Sequence, residues 1–290
     1  MNHKVKSFYH EYTYTWTHLV ICNTTNHAVL IDPVLDYNPN NANTSTEFID
    51  GILAYISKKN IHLKYVIETH AHADHLTSAV HVHNKTDADI AIGENILSVQ
   101  KTFKKIFNFG DEFQADGSQF NQLLKDKDIV VFGECQIHAM HTPGHTDDSM
   151  SYMVGDSVFI GDTLFSPDYG SARCDFPGGD AEKLYDSVQK IYALGENKKL
   201  FLCHDYPPKT RQPQAWFLSS EQQKSNKHLN TNTSKHEFAS MRNNRDATLN
   251  QPRLIIPSIQ VNISAGHFPE PETNGLIYLK IPIDILGKGS

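Results

Sequence analysis

Apolar residues along the chain fall into short runs rich in β-branched side chains, separated by polar turns. Runs of this kind occur at His18–Cys22, Ala28–Asp32, Tyr65–Thr69, Ile129–Phe132, Gln136–Met140, Met150–Val154, Val158–Gly161 and Leu200–Cys203. Each is too short for a helix and too continuous for a solvated sheet face, so each is predicted as a buried strand. Two stretches break this pattern with helical spacing. Thr44-Ser45-Thr46-Glu47 has the form of a capping box and precedes Ile49, Ile52, Leu53 and Ile56; Asp180 precedes Leu184, Val188, Ile191 and Leu194, with Gly195 as the stop. A further helix is expected after Leu76, from Ala79 and Val80. Helices alternating with strands in the first half, and consecutive strands in the middle, predict a four-layer α/β sandwich.

From Ser219 the composition turns to Ser, Asn, Gln and Lys, while Ser234 with Glu237, followed by Phe238 and Met241, signals a helix. The runs Leu254–Ile263 and Leu276–Ile283 resume strand-like content. The division expected is a catalytic core over 1–218 and an extension over 219–290 that packs back on it. Gly287-Lys288-Gly289-Ser290 reads as a flexible end.

Charge and composition narrow the function. A net charge of −7 on 290 residues repels a phosphate backbone, so nucleic acid is not expected as a partner. No window approaches the roughly 20 apolar residues that span a bilayer. Met1–Trp16 carries no apolar run of a secretory signal, and Cys22, Cys135, Cys174 and Cys203 lack the short spacings of a zinc ribbon or disulfide framework. A cytoplasmic chain is expected. A homodimer is a further expectation.

The chemistry concentrates where strands end. Tyr65–Thr69 runs into His70-Ala71-His72-Ala73-Asp74-His75, three imidazoles and a carboxylate within six residues. Imidazole is the commonest metal ligand among side chains, and alternation at a strand end aims His70 and His72 to one side. Three more ligand types terminate apolar runs: His145 after Pro143-Gly144, Asp162 after Gly161, and His204 after Cys203. Repeated strand, turn and ligand point to one convergent metal site. His81 and His83 read instead as solvated helix residues or caps.

The H-x-H-x-D-H motif with the separate His145, Asp162 and His204 resembles the metallo-β-lactamase superfamily, which implies its αββα fold. Within it the chain is similar to the persulfide dioxygenases, also called sulfur dioxygenases, and to their bacterial β-lactamase-like relatives. The matching stretches are Glu68–His75, His141–Thr146, Gly161–Phe165, Ala172-Arg173-Cys174-Asp175-Phe176 and Gly178–Ala181. That resemblance implies one Fe(II) per chain on His70, His145 and Asp162, with His72, Asp74, His75 and His204 supporting it. It implies oxidation of glutathione persulfide, or another low-molecular-weight persulfide, by O2 to sulfite and glutathione. Arg173 would face the glutathione carboxylate, and Cys174 would be an ordinary, partly buried thiol beside it.

The same ligands serve dinuclear zinc hydrolases of the glyoxalase II kind. There His70, His72 and His145 would hold one Zn2+, Asp74, His75 and His204 the other, with Asp162 bridging. A non-catalytic metal-binding or sulfide-sensing protein is the third reading.

Overall fold

The computed structural model describes residues 2–286, so the end expected at Gly287–Ser290 lies outside the described residues. Strands β1 His3–His10, β2 Thr15–Cys22, β3 His27–Ile31, β4 Val34–Asn38 and β5 Asn43–Ser45 precede helix α1 Glu47–Lys58. Then follow β6 His62–Ile67, β7 Leu76–Thr77, α2 Ala79–Thr86, β8 Asp89–Gly93, α3 Ile96–Ile106 and β9 Gln122–Leu124. A run of strands, β10 Ile129–Phe132, β11 Cys135–His141, β12 Met150–Val154 and β13 Ser157–Phe159, leads to α4 Ala181–Tyr192. The described chain closes with β14 Lys199–Phe201, β15 Trp216–Leu218, α5 Ser219–Ser225, α6 Lys235–Asp246 and α7 Ile255–Asn262.

Two six-stranded sheets result, ordered β1-β2-β3-β6-β8-β9 and β10-β11-β12-β13-β14-β15. In the first, β3, β6, β8 and β9 run parallel. Parallel neighbours need a long crossover, and α1, α2 and α3 supply the three required. The second sheet is antiparallel except where β13 meets β14.

Side-chain alternation builds three apolar cores from these two sheets. Leu19, Ile21, Ala28 and Leu30 point outward to Ile49, Ile52, Phe103, Ile255 and Ile259 of α1, α3 and α7. Their neighbours Val20, Cys22, Val29 and Ile31 point inward, against Phe132, Ile137, Tyr152 and Phe159 of the second sheet. The far face of that sheet packs Val158, Ile160, Leu200 and Leu202 under Leu184, Val188 and Ile191 of α4 and Phe238 of α6. Three cores between four layers are the αββα sandwich that the sequence predicted. Helices α6 and α7, both beyond residue 218, fill the two outer cores.

The capping devices differ in their fidelity to the pattern. Asp180 accepts from the amides of Glu182 and Lys183, and Ser234 and Glu237 form the reciprocal capping box. The box expected at Thr44–Glu47 does not form: α1 begins at Glu47 with Thr46 as N-cap, and the Thr46 hydroxyl bonds the Asp50 carboxylate instead.

Two strand expectations are corrected. Leu254–Ile263 is helix α7. Its Ile255, Ser258, Ile259 and Asn262 repeat at helical spacing and are buried, and Pro257 sits in the first turn, where an amide has no intrahelical acceptor. Leu276–Ile283 forms no strand. Pro282 removes a ladder donor, and the Gln260 side chain makes both backbone bonds to Lys280 that a neighbouring strand would make. No helix among the described residues is long and apolar enough to cross a membrane.

Candidate metal centre

The ligand candidates converge at one rim of the sandwich, each delivered by the end of a strand. β6 stops at Ile67, and residues 70–75 form a loop rather than the first turn of a helix; α2 starts only at Ala79. Asp148 pins this loop by accepting from the Ala71 amide at 2.8 Å, and Asn262 of α7 donates to the carbonyls of His72 and His75. His145 follows Gly144, whose φ of +137° suits glycine and whose missing Cβ leaves room for the Leu184 backbone. Asp162 follows β13 through Gly161, also at positive φ. His204 follows β14 and bridges to Thr15 at the start of β2, tying the two sheets together at the site.

Two groups of ligand atoms, each lying within 4.8 Å, divide the candidates: His70, His145 and Asp162, and His72, Asp74, His75 and His204; Cys203 makes two further groups, with Asp32 and His72 and with Asp162 and His204. The Asp162 Oδ2 is 3.6 Å from His145 Nε2 and 4.0 Å from His70 Nε2, while its Oδ1 is 3.5 Å from His204 Nε2. Asp162 therefore sits between the groups. All seven candidates meet at one centre.

The ring nitrogens divide by role. On one side each imidazole is held by a protein group: His70 Nδ1 by the Thr69 hydroxyl, His72 Nε2 by Asp32 at 3.0 Å, and His145 Nδ1 by the Arg173 carbonyl at 2.7 Å. His75 Nδ1 lies against Asp74, and His204 Nδ1 against the Thr15 hydroxyl. On the other side His70 Nε2, His72 Nδ1, His75 Nε2, His204 Nε2 and Asp162 Oδ1 are buried without a hydrogen-bond partner. Buried polar atoms are rarely left so. Five of them in one corner, the four imidazoles each backed by an orienting partner, is the pattern of a metal-ligand set, and imidazole with carboxylate suits iron or zinc.

Electrostatics agree. Burial, then the neighbouring imidazoles, push His70 well below its usual range, and burial with the His72 charge takes His75 down to about 3. Both rings are neutral, as ligands must be. Burial opposes charge on His72 as well, but Asp32 and Glu68 overcome it and raise the ring. A metal at His72 Nδ1 therefore displaces a proton. Burial pushes Glu68 up, whereas the His72 charge overcomes burial at Asp32 and holds that carboxyl down.

Over this corner opens a cavity of about 660 Å3, walled near the ligands by Phe165, Phe176 and Tyr206 and outward by the α6–α7 segment. Phe176 stands edge-on to His145 at 5.2 Å. Burial, then Asp74 and Asp162, push the Tyr206 phenol well up, so it stays protonated.

Residues 13–204 match the sequence profile of the Metallo-beta-lactamase superfamily. The chain belongs to this superfamily. It is 46% identical over 270 residues to Glyoxylase B2 of Dictyostelium discoideum, covering 92% of each chain. To the mitochondrial Persulfide dioxygenase ETHE1 of Bos taurus it is 30% identical, over 66% of this chain and 64% of that one. The crystal structure of ETHE1 from Myxococcus xanthus superposes with a TM-score of 0.73 at 30% identity, over 91% of this chain and all of that one. The superfamily's metal-dependent chemistry accounts for the unpartnered ring nitrogens.

Other expected residues land elsewhere. Arg173 lines the cavity, but its guanidinium grips Asp175 through Nε at 2.6 Å and Nη2 at 2.7 Å, and its Nη1 holds the Asn250 carbonyl. Cys174 is buried, and burial pushes its thiol up. His81 pairs with Asp50 and His83 bonds the Ala88 carbonyl, both on α2 and away from the ligand groups.

Asp32, Asp148 and the α6 pair Arg242–Asp246 were not singled out by motif. Asp32 ends the run Ala28–Asp32 at φ +51°, so the strand-end signal that found Asp162 applies to it too. Arg242 and Asp246 carry only an i, i+4 charge pair as signal, which is usually a surface feature. Here both are buried.

Proposed function

We propose that this superfamily member is a persulfide dioxygenase that carries one Fe(II) on His70, His145 and Asp162 and oxidises glutathione persulfide. The observation that carries the reading is the grouping of His70, His145 and Asp162 as a set of two imidazoles and one carboxylate. Such a facial set, when loaded with Fe(II), supplies redox chemistry and open positions for a sulfur donor and dioxygen. The motif stretches that resemble persulfide dioxygenases and the fold shared with ETHE1 of Myxococcus xanthus support it. Overall, glutathione persulfide, O2 and water give glutathione, sulfite and two protons.

The chain's own residues would prepare this reaction. Thr69 and the Arg173 carbonyl fix the rings of His70 and His145 so that both Nε2 atoms face Asp162. Phe165 and Phe176 keep bulk water from the outer side of the corner. The protonated Tyr206 offers a hydrogen bond to a substrate anion.

A second reading, a dinuclear zinc thioesterase, has its own support. His72, His75 and His204 also present unpartnered nitrogens, and a relative 46% identical over 92% of this chain is called a glyoxylase. Metal analysis of freshly purified protein separates the two. One iron per chain that is lost in His145→Ala supports the dioxygenase; two zincs per chain, with no oxygen uptake on glutathione persulfide, contradict it.

A further inference from the structure

The outer wall of the cavity is built by residues outside every ligand set. Four arginines line it, Arg173, Arg242, Arg245 and Arg253, although the chain carries a net charge of −7. Two are neutralised in place, Arg173 by Asp175 and Arg242 by Asp246. Arg245 and Arg253 are exposed to the cavity mouth, and among the described residues no carboxylate pairs with either. Glu11, the lining carboxylate away from the metal corner, is not an ion-pair partner of either one.

The backbone that carries Arg245 and the guanidinium of Arg253 are nevertheless held. Arg245 lies in the last turn of α6, where a cation is favoured by the helix dipole, and the buried Arg242–Asp246 pair fastens that turn to Ser171 and Cys174. Arg253 lays its guanidinium carbon 4.7 Å from the Tyr12 ring centroid, a contact that fixes the group without cancelling its charge. Two unneutralised cations at the mouth of one cavity, one on an anchored helix turn and one laid on the Tyr12 ring, are a receptor for anions. The cavity volume lies in the range of small-ligand sites. Glutathione, a tripeptide thiol whose first residue is linked through its side-chain carboxyl, spans about 10 Å extended and carries carboxylates at both ends and sulfur at its middle.

We propose that Arg245 and Arg253 bind the carboxylates of a peptide-like thiol while its sulfur faces the metal corner, so that the α6–α7 segment sets the charge selectivity of the site. This rests on the glutathione-type substrate proposed above. It also reassigns the role expected for Arg173, whose fork is spent on Asp175.

The test is calorimetric titration of the metal-loaded, full-length protein without oxygen, using glutathione and glutathione diethyl ester as probes. Each charge-assisted contact is worth about ten- to hundredfold in affinity, so the acid should bind at least about tenfold more tightly than the ester. The double variant Arg245→Gln/Arg253→Gln should lose most of that gap, and Arg245→Lys/Arg253→Lys should keep part of it. Equal binding of acid and ester by the wild type, an undiminished gap in the Gln variant, or no binding of glutathione overturns the assignment. The titration involves no turnover. Arginine-dependent binding without oxygen uptake would refute the dioxygenase and leave the receptor; oxygen uptake on glutathione persulfide without discrimination against the ester would do the reverse.

Discussion

Asp246→Ala removes a carboxylate at the joint between the C-terminal helices and the metal corner. Arg242 is only 1% exposed and Asp246 3%. Asp246 Oδ1 accepts from Arg242 Nε at 3.0 Å and Nη2 at 2.6 Å, and its Oδ2 accepts from the Cys174 amide at 2.8 Å. Removing one partner of a buried ion pair strands the other charge, at about 3–5 kcal/mol, and the orphaned amide adds about 1–3 kcal/mol. Together these reach about 4–8 kcal/mol, and relaxation and water entry make the lower end, about 4 kcal/mol, the expected loss. Replacing both members by apolar residues, as in Arg242→Met/Asp246→Leu, removes the stranded charge and should be less damaging than Asp246→Ala alone. Urea unfolding, with midpoint and slope fitted separately, measures this. A loss under about 1 kcal/mol for Asp246→Ala, or a double variant worse than the single, would refute the reasoning. The perturbation should also reach the site: the Cys174 amide bond fixes the loop whose Arg173 carbonyl orients His145.

Three further outcomes follow from particular contacts. Asp32→Asn weakens the acceptor that orients His72 and both groups of Thr69, and should lower metal affinity by about 10- to 100-fold in a chelator competition; unchanged affinity would remove Asp32 from the orienting set. Gly144→Ala drives a Cβ into the Leu184 backbone at a positive φ, and should destabilise the fold by at least about 1–2 kcal/mol and reduce metal content, unlike the same change at the unobstructed Gly51. His228 accepts from the Ser171 amide, and burial, then the Arg242 charge, lower its pKa to about 4. The unfolded ring titrates near 6.5, so the unfolded state binds more protons between these values and stability falls as pH falls from about 6.5 toward 4. His228→Asn removes that contribution, so its stability deficit against the wild type should shrink on going from pH 7.5 to 4.5; parallel curves would contradict the assignment.

The layers and the convergence of the ligand candidates were legible because both depend on local pattern. Runs such as Ala28–Asp32 are apolar on both faces because two cores flank the first sheet, and His145, Asp162 and His204 stand out because strand ends aim side chains into one rim. The failures have equally local causes. Ile255–Asn262 is rich in β-branched residues yet helical, since tertiary burial on the first sheet overrode propensity. The first-turn proline and the helical spacing of Ser258, Ile259 and Asn262 were the available signals. Thr44–Glu47 matched a capping box whose hydroxyl found Asp50 instead. Arg173 lines the cavity, but a sequence does not show that Asp175, two residues on, occupies its guanidinium. The cationic rim of Arg245 and Arg253 was invisible for a different reason: it exists only once α6 and the start of α7 fold over the rim of the sandwich.

The most direct test of the dioxygenase reading is oxygen uptake by Fe(II)-loaded protein supplied with glutathione persulfide, with sulfite counted in the same sample. Equal amounts of oxygen consumed and sulfite formed are expected, and loss of both in the zinc-loaded protein and in Asp162→Ala. An iron-loaded protein that takes up no oxygen, while the zinc-loaded protein cleaves a glutathione thioester, would contradict it.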